Sequence, residues 1–365
     1  MTGQDDLFRG CLLGLAVGDA MGYTVDSKDL DEIRADYGPN GLLGYDLVNG
    51  YADVTSYTQI AAFSANGLLM GLTRGQLQGR LAPLVRYIGL ALREWSRSQH
   101  YCQPERNYCW LSLVPEIKRR RCMDTWMLSV LEKPSLGTME EPVSQSSHPA
   151  ALTVTVPVAL LSAQVNIPQE EVDRLGAEAV ALTHGSPEAF LSGAVLTHIL
   201  SRIVQGCDMP LFALVSDTVD AIQIQFGRQY HQTTTVWEAL QRARTLAQSE
   251  NVTQMEAMER LGCRTAPEVL AGALYACATC HGDFDAAMIT AVNHSGRSAA
   301  VGAVTGAILG ALLGYAALPE FYLECLEPAQ TLLELANDMV QGCPMERGSN
   351  LFDDDWDRKY LHAGL

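Results

Sequence analysis

The chain has 365 residues and a formal charge of −17, from 25 Lys and Arg against 42 Asp and Glu. That acidity excludes sequence-independent nucleic-acid binding, which needs a cationic surface. A content of 48% hydrophobic and 18% charged residues excludes a disordered chain, and the length allows a core that needs no disulfide or metal staple.

Residues 1–6 are acidic and polar, and the first apolar stretch contains Asp19, so no leader is read. Ten Cys are too few for a disulfide scaffold and fit a reducing cytoplasm. In chain order, helix-length apolar segments fall at 10–22, 57–72, 81–96, 169–182, 234–248 and 328–341. Ser186-Pro187-Glu188 supplies a cap, an N1 proline and a first-turn acid for a helix to about Gln205, with Gly206 as terminator. Pro267-Glu268 opens another helix to about Cys280, and Asp283 caps the next, to about Val292. No series of strand-like alternation appears. The expectation is an all-α, compact orthogonal helical bundle forming a single domain over 1–365, without internal repeats.

Residues 299–318 carry no charge over a membrane-spanning length. Glycines recur there every fourth residue, at Gly302, Gly306, Gly310 and Gly314, and also at Gly10, Gly14, Gly18 and Gly22. Spacing of four places each set along one helix face, where missing side chains let another backbone approach. The expectation is two closely packed core helices and no membrane partner.

Residues 95–149 read as an insert with short helices. It holds three of the five Trp and the run Lys118-Arg119-Arg120-Arg121, expected to be a solvated face, with phosphate or an acidic partner as the sharper alternative. The acidic tail, about 350–365, is its counterpart and could dock on the insert through Trp356. Cys277-Ala-Thr-Cys280-His281 spells a covalent haem signature, but its Ala-rich helical setting reads as core cysteines. P-loop, Rossmann, nucleophile-elbow and His-Glu-x-x-His patterns are missing.

Three loops precede helical segments. Thr183-His184-Gly185-Ser186 and Asn293-His294-Ser295-Gly296-Arg297-Ser298 each place His, Ser and Gly before a helix start, where unpaired N–H groups and the dipole favour anions. Arg297 would add a bidentate phosphate contact. Ordinary capping is the alternative for either loop. The third loop, Asp53 to Gln59, carries clustered hydroxyls at Thr55, Ser56, Tyr57 and Thr58.

Together these segments resemble the ADP-ribosylglycohydrolase family, which includes the dinitrogenase-reductase-activating type. The resemblance rests on Gly10 through Gly22, on Thr183-His184-Gly185-Ser186-Pro187, on Asn293 through Gly314, and on Pro319-Glu320 to Leu326-Glu327, and is weakest over 76–146. It implies a compact all-helical fold, and cleavage of N- or O-glycosidic bonds to ADP-ribose with two Mg²⁺ ions. The metal motifs depart from the family's. Where the family has Thr-Asp-Asp-Thr before Gln, this chain has Thr55-Ser56-Tyr57-Thr58-Gln59. Where the family has Gly-Asp-x-Asp-Ser/Thr, it has Gly296-Arg297-Ser298-Ala299-Ala300. In the middle loop, from His148 to Pro157, Val154 replaces the usual Arg. Four carboxylates supply about −4 to two hard dications, whereas these positions sum to about +1. No metal cofactor is therefore expected.

Asp26 stands seven residues after Asp19, where the family carries a Glu, and is expected to pair with Arg297 or leave it to a ligand phosphate. Asp19 is expected to be structural, at the floor of the site. The reading is a protein that has lost dinuclear hydrolysis and binds ADP-ribose or a related phosphate-bearing ligand. Asp26 and Arg297 are the candidate catalytic pair. Thr55, Ser56, Tyr57, Thr58, His148, His184, His294, Ser295, Gly296 and Ser298 are the candidate contacts. Two alternatives stand. One is a metal-independent glycohydrolase in which Asp26 works with Asp53, His148 or His184. The other is a scaffold with a vestigial cleft, meeting a protein partner through the insert at 95–149.

Overall fold

The computed structural model describes residues 3–100, 107–121, 125–348 and 352–363. Parts of the expected insert (101–106 and 122–124) and of the acidic tail (349–351, 364 and 365) lie outside the described residues. The helices run α1 (Gln4–Tyr23), α2 (Leu30–Tyr37), α3 (Ser56–Gln78), α4 (Leu84–Gln99), α5 (Thr125–Leu131), α6 (Thr155–Leu161), α7 (Gln169–Ala181), α8 (Pro187–Val204) and α9 (Leu211–Phe226). They continue as α10 (Thr233–Ala247), α11 (Gln254–Leu261), α12 (Ala266–Thr279), α13 (Phe284–Val292), α14 (Ser298–Leu313), α15 (Glu320–Cys325), α16 (Ala329–Gln341) and α17 (Asp354–Tyr360). The fold is all-α and compact. Among the described residues extended pairing is limited to two isolated bridges, Val48 with Tyr51 and Ala52 with Leu326.

At the centre α1 lies against α14, backbone to backbone. A Cβ placed on Gly14 would sit 2.3 Å from the Gly306 carbonyl oxygen, and one on Gly302 would sit 2.2 Å from that of Gly18. The four-residue glycine spacing is the cause, because any larger residue on either ridge would hold the helices apart. Nearly every residue of α14 is buried, so its apolar run is core, and no described helix is long and apolar enough to cross a membrane. The helix is shorter than its apolar run: it stops at Leu313 because Gly314, at φ +84°, forms the left-handed end and donates its N–H to Gly310.

Local signals set most of the other boundaries. Thr265 and Glu268 form a capping box at α12, and the Asp283 carboxylate accepts the Ala286 amide at α13. Expected from residue 81, α4 starts at Leu84, after Pro83, since a proline disfavours helix in the residue before it. Cys277 and Cys280 are buried in the core, the Cys277 thiol 3.7 Å from the Thr305 carbonyl.

The tail does dock, though not on the basic run. Trp356 is buried and donates its indole N–H to the Thr73 hydroxyl on α3 (2.9 Å), its ring tilted against Tyr360, while Lys359 lies over the Trp110 ring.

Candidate functional site

A cleft of about 470 Å³ opens where the C-terminal end of α1 and the starts of α3 and α14 meet. Tyr23, Asp26 and Ser27 come from the end of α1 and the turn after it; Thr55, Ser56 and Tyr57 come from the start of α3. Arg121, Trp126, Ser146, His148 and Ala150 form the facing wall, and Arg297 stands at the start of α14. Six of the expected site residues thus line one cavity: Asp26, Thr55, Ser56, Tyr57, His148 and Arg297.

Asp19 builds the floor. It is fully buried and accepts four hydrogen bonds: from the Thr55 amide (2.9 Å) and hydroxyl (2.6 Å), and from the Thr58 amide (3.0 Å) and hydroxyl (2.6 Å). Burial pushes its carboxyl up to about 6 against the pull of those donors. The carboxylate satisfies first-turn amides that a helix start leaves without partners. Thr58 is consequently spent on Asp19 and points away from the cleft, which corrects its reading as a ligand contact.

Asp26 does not form the expected ion pair with Arg297. Its Oδ1 accepts the Ala299 amide at 2.9 Å and so caps α14. Burial raises its carboxyl above the ordinary range, while the Ala299 hydrogen bond and the Arg297 charge pull it down. The Arg297 backbone amide is fixed to the Cys263 carbonyl at 2.8 Å. Its side chain is exposed at the cleft and has no ion-pair or hydrogen-bond partner among the described residues.

The remaining residues of the 293–298 loop are braces rather than contacts. His294 Nδ1 accepts the Gly296 amide (2.9 Å), so the ring is neutral and its Nε2–H donates to the Ala291 carbonyl (2.9 Å). Burial holds this histidine down at about 4. Ser295 Oγ accepts the Leu30 amide, facing α2 instead of the cleft. Gly296 is pressed on the backbone of Cys263, where a Cβ would meet the carbonyl at 2.6 Å. Ser298 is buried, its hydroxyl 3.4 Å from the His294 carbonyl. The expected ligand roles of His294, Ser295, Gly296 and Ser298 are corrected accordingly.

His184 lies one layer behind the wall. It is fully buried, edge-on to Trp126 (5.4 Å) and stacked 6.3 Å from His148, with Nδ1 2.8 Å from the Thr183 hydroxyl. Its Nε2 has no partner among the described residues, and burial depresses it to about 3, so it is neutral. His148 lines the cleft itself and its Nδ1 accepts the Ala150 amide at 3.2 Å.

Lys118, Arg119 and Arg120 form the solvated face expected of the basic run, while the Arg121 side chain turns inward. Buried Gln59 donates to the carbonyls of Ile117 and Arg119 (2.7 Å each) and accepts the Trp95 indole N–H (3.0 Å), pinning this strap over α3. Gln99 accepts the Arg121 amide. Arg121, 8% exposed, then bridges Asp53 (2.5 Å) and Glu327 (2.7 Å), while Arg119 also reaches Glu327. The Arg121 guanidinium holds the Asp53 carboxyl below its ordinary range. Sequence reasoning missed Arg121, Trp126, Tyr23 and Ser146 as cleft residues. The one available signal was Gln59, whose buried amide needed carbonyl partners from elsewhere in the chain.

This donor set does not fit two Mg²⁺ ions. Hard dications need several uncommitted oxygens. Here the Thr55 and Thr58 groups are bound to Asp19, one Asp26 oxygen is taken by a backbone amide, and a guanidinium faces the same space. Among the described residues no group of three or more His, Cys, Asp or Glu could hold a metal.

Comparison with known proteins agrees with this architecture. A family profile described as ADP-ribosylglycohydrolase matches residues 2–348. A solved structure titled "ADP-ribosylglycohydrolase-related protein complex" superposes with a TM-score of 0.57 at 24% identity, covering 93% of this chain and 99% of its own. That likeness shows the fold. No curated protein matches the chain.

Proposed function

This chain belongs to the ADP-ribosylglycohydrolase family, and we propose that it binds ADP-ribose or a related phosphate-bearing ligand in its cleft without dinuclear Mg²⁺ hydrolysis. The observation that carries this reading is Arg297. Its guanidinium faces the cleft with no ion-pair partner among the described residues, in the place of a carboxylate of the family's second metal motif. An uncommitted guanidinium presents five N–H donors in a planar fork that matches phosphate. Trp126, His148 and Tyr57 add aromatic walls on which the rest of a nucleotide would lie.

A second reading is metal-free hydrolysis with Asp26 as the acid, favoured by the burial that raises its carboxyl above the ordinary range and keeps its proton. It needs a second carboxylate or base across the bond. Asp53 is bound by Arg121, and His184 is behind the wall, leaving His148 as its candidate. Turnover separates the readings. ADP-ribosylated protein incubated with this chain should release no ADP-ribose, with or without Mg²⁺. Release in EDTA that Asp26→Asn abolishes would establish the second reading, and release that requires Mg²⁺ would overturn both.

A further inference from the structure

We propose that the cleft holds a seat for a terminal phosphate monoester, formed by Arg297, Ser56 and the carboxyl of Asp26, so that the ligand is recognised by its phosphate end. This rests on the binding reading above and specifies which end of the ligand is recognised: a nucleoside diphosphate with a free terminal phosphate rather than one capped by a sugar.

Three polar groups face this space from three segments. The Arg297 guanidinium is uncommitted among the described residues. Ser56 is the first residue of the 23-residue α3, half-buried, with neither its hydroxyl nor its amide bonded to another described group. It therefore offers two donors at the positive end of a long helix dipole. Asp26 has Oδ1 on the Ala299 amide and leaves Oδ2 without a hydrogen-bond partner among the described residues. Arg121 closes the same wall, nine-tenths buried, with its Nε lacking a partner among the described residues and its charge matched by Asp53 and Glu327. It is a fixed wall rather than a loose cation.

A terminal monoester suits these donors better than an internal diphosphate. It exposes three oxygens at one end and has no substituent beyond them, whereas a phosphate esterified on both sides exposes two oxygens and carries bulk past them. The monoester's cost is its second charge next to Asp26. That cost disappears when Asp26 is protonated: its Oδ2–H then donates to a phosphate oxygen while Oδ1 keeps the Ala299 cap. Burial already favours that protonated form. The proposal thus fixes the sign of one substitution. Asp26→Asn keeps the cap through its amide oxygen, keeps a donor toward the ligand, and removes the repelling charge.

The test is calorimetric titration in EDTA with ADP and with ADP-ribose, which differ by a ribose on the terminal phosphate. The expected result is that ADP binds wild-type protein about tenfold or more tightly than ADP-ribose. Asp26→Asn should strengthen ADP binding and Arg297→Ala should abolish it. ADP-ribose bound as tightly as ADP, in an Arg297-dependent manner, would overturn the phosphate-first seat while leaving the binding reading intact. Weaker ADP binding in a folded Asp26→Asn would also overturn it. No binding of either ligand would overturn both. If Asp26→Asn does not fold, Ser56→Ala serves: several-fold weaker ADP binding is expected, and unchanged binding contradicts the seat.

Discussion

Gly306→Ala tests the contact on which the whole architecture hangs. The added Cβ would fall 1.9 Å from the Gly14 carbonyl oxygen and 2.6 Å from its carbonyl carbon, both backbone atoms of α1. An ordinary carbon–oxygen contact is about 3.3 Å or longer, so the helices must part by more than about 1 Å or shear. A gap of that size forfeits between a quarter and a half of each dispersion contact along the ridge. Overpacking of a tight core costs about 1–3 kcal/mol, and a rigid backbone neighbour places this case near about 3 kcal/mol. For a chain of 365 residues, at about 2.1 cal/mol/K of unfolding entropy per residue, that lowers the melting temperature by about 4 °C. Calorimetric melting of Gly306→Ala should show this. Gly44→Ala, whose new Cβ meets nothing within 4 Å, should melt like wild type. Adding Gly14→Ala to Gly306→Ala should cost less than the sum of the single changes, because both disturb one contact. A Gly306→Ala protein melting within about 1 °C of wild type would refute the backbone-to-backbone account.

Asp19→Ala removes the acceptor of four hydrogen bonds and leaves two amides and two hydroxyls unpaired at the start of α3. A loss of about 3 kcal/mol or more is expected in denaturant unfolding, and a loss below about 1 kcal/mol would contradict the structural role given to this carboxylate. Two buried histidines contribute stability that is lost in acid. His184, held at about 3, and His294, at about 4, refuse a proton that the unfolded chain accepts at its ordinary value of 6.5. Their contribution is therefore complete above pH 6.5 and is lost as pH falls toward those values, at about 1.4 kcal/mol per pH unit each. Asp19, raised to about 6, and Asp26, also raised by burial, act in the opposite sense, so the histidine contribution is read as the difference between wild type and a histidine variant, about 2 °C per pH unit for one histidine. Melting curves of wild type and His184→Gln between pH 6 and 4 check this: the variant should lose less stability per unit of acidification than wild type, and the same pH dependence in both would contradict the buried neutral ring.

The parts of the fold that local chemistry dictates were legible in the sequence. Glycines four apart at Gly10–Gly22 and Gly302–Gly314 announced the central helix pair, and Pro187, Pro267 and Asp283 marked helix starts close to where they fall. The polar helix α2, with its Asp29–Glu32 capping box, and α11 escaped notice because their apolar stripes are short. The α9 segment (Leu211–Phe226) also went unread, although Pro210 precedes it directly. In the site, position in a motif proved a poor guide to direction. His294 and Ser295 sit only one to three residues before Gly296 and Arg297, yet they face Ala291 and Leu30 while Arg297 alone of this loop reaches the cleft. Arg121 was invisible for the converse reason. Its ion-pair partners, Asp53 and Glu327, lie 68 and 206 residues away, and only tertiary packing brings them together.

The most direct test of the central claim is the heat of ADP-ribose binding in EDTA, repeated with Mg²⁺ and on Arg297→Ala. Metal-independent binding that disappears in Arg297→Ala is the predicted result. Binding that appears only with Mg²⁺, and survives loss of Arg297, would contradict it and return the cleft to metal-dependent chemistry.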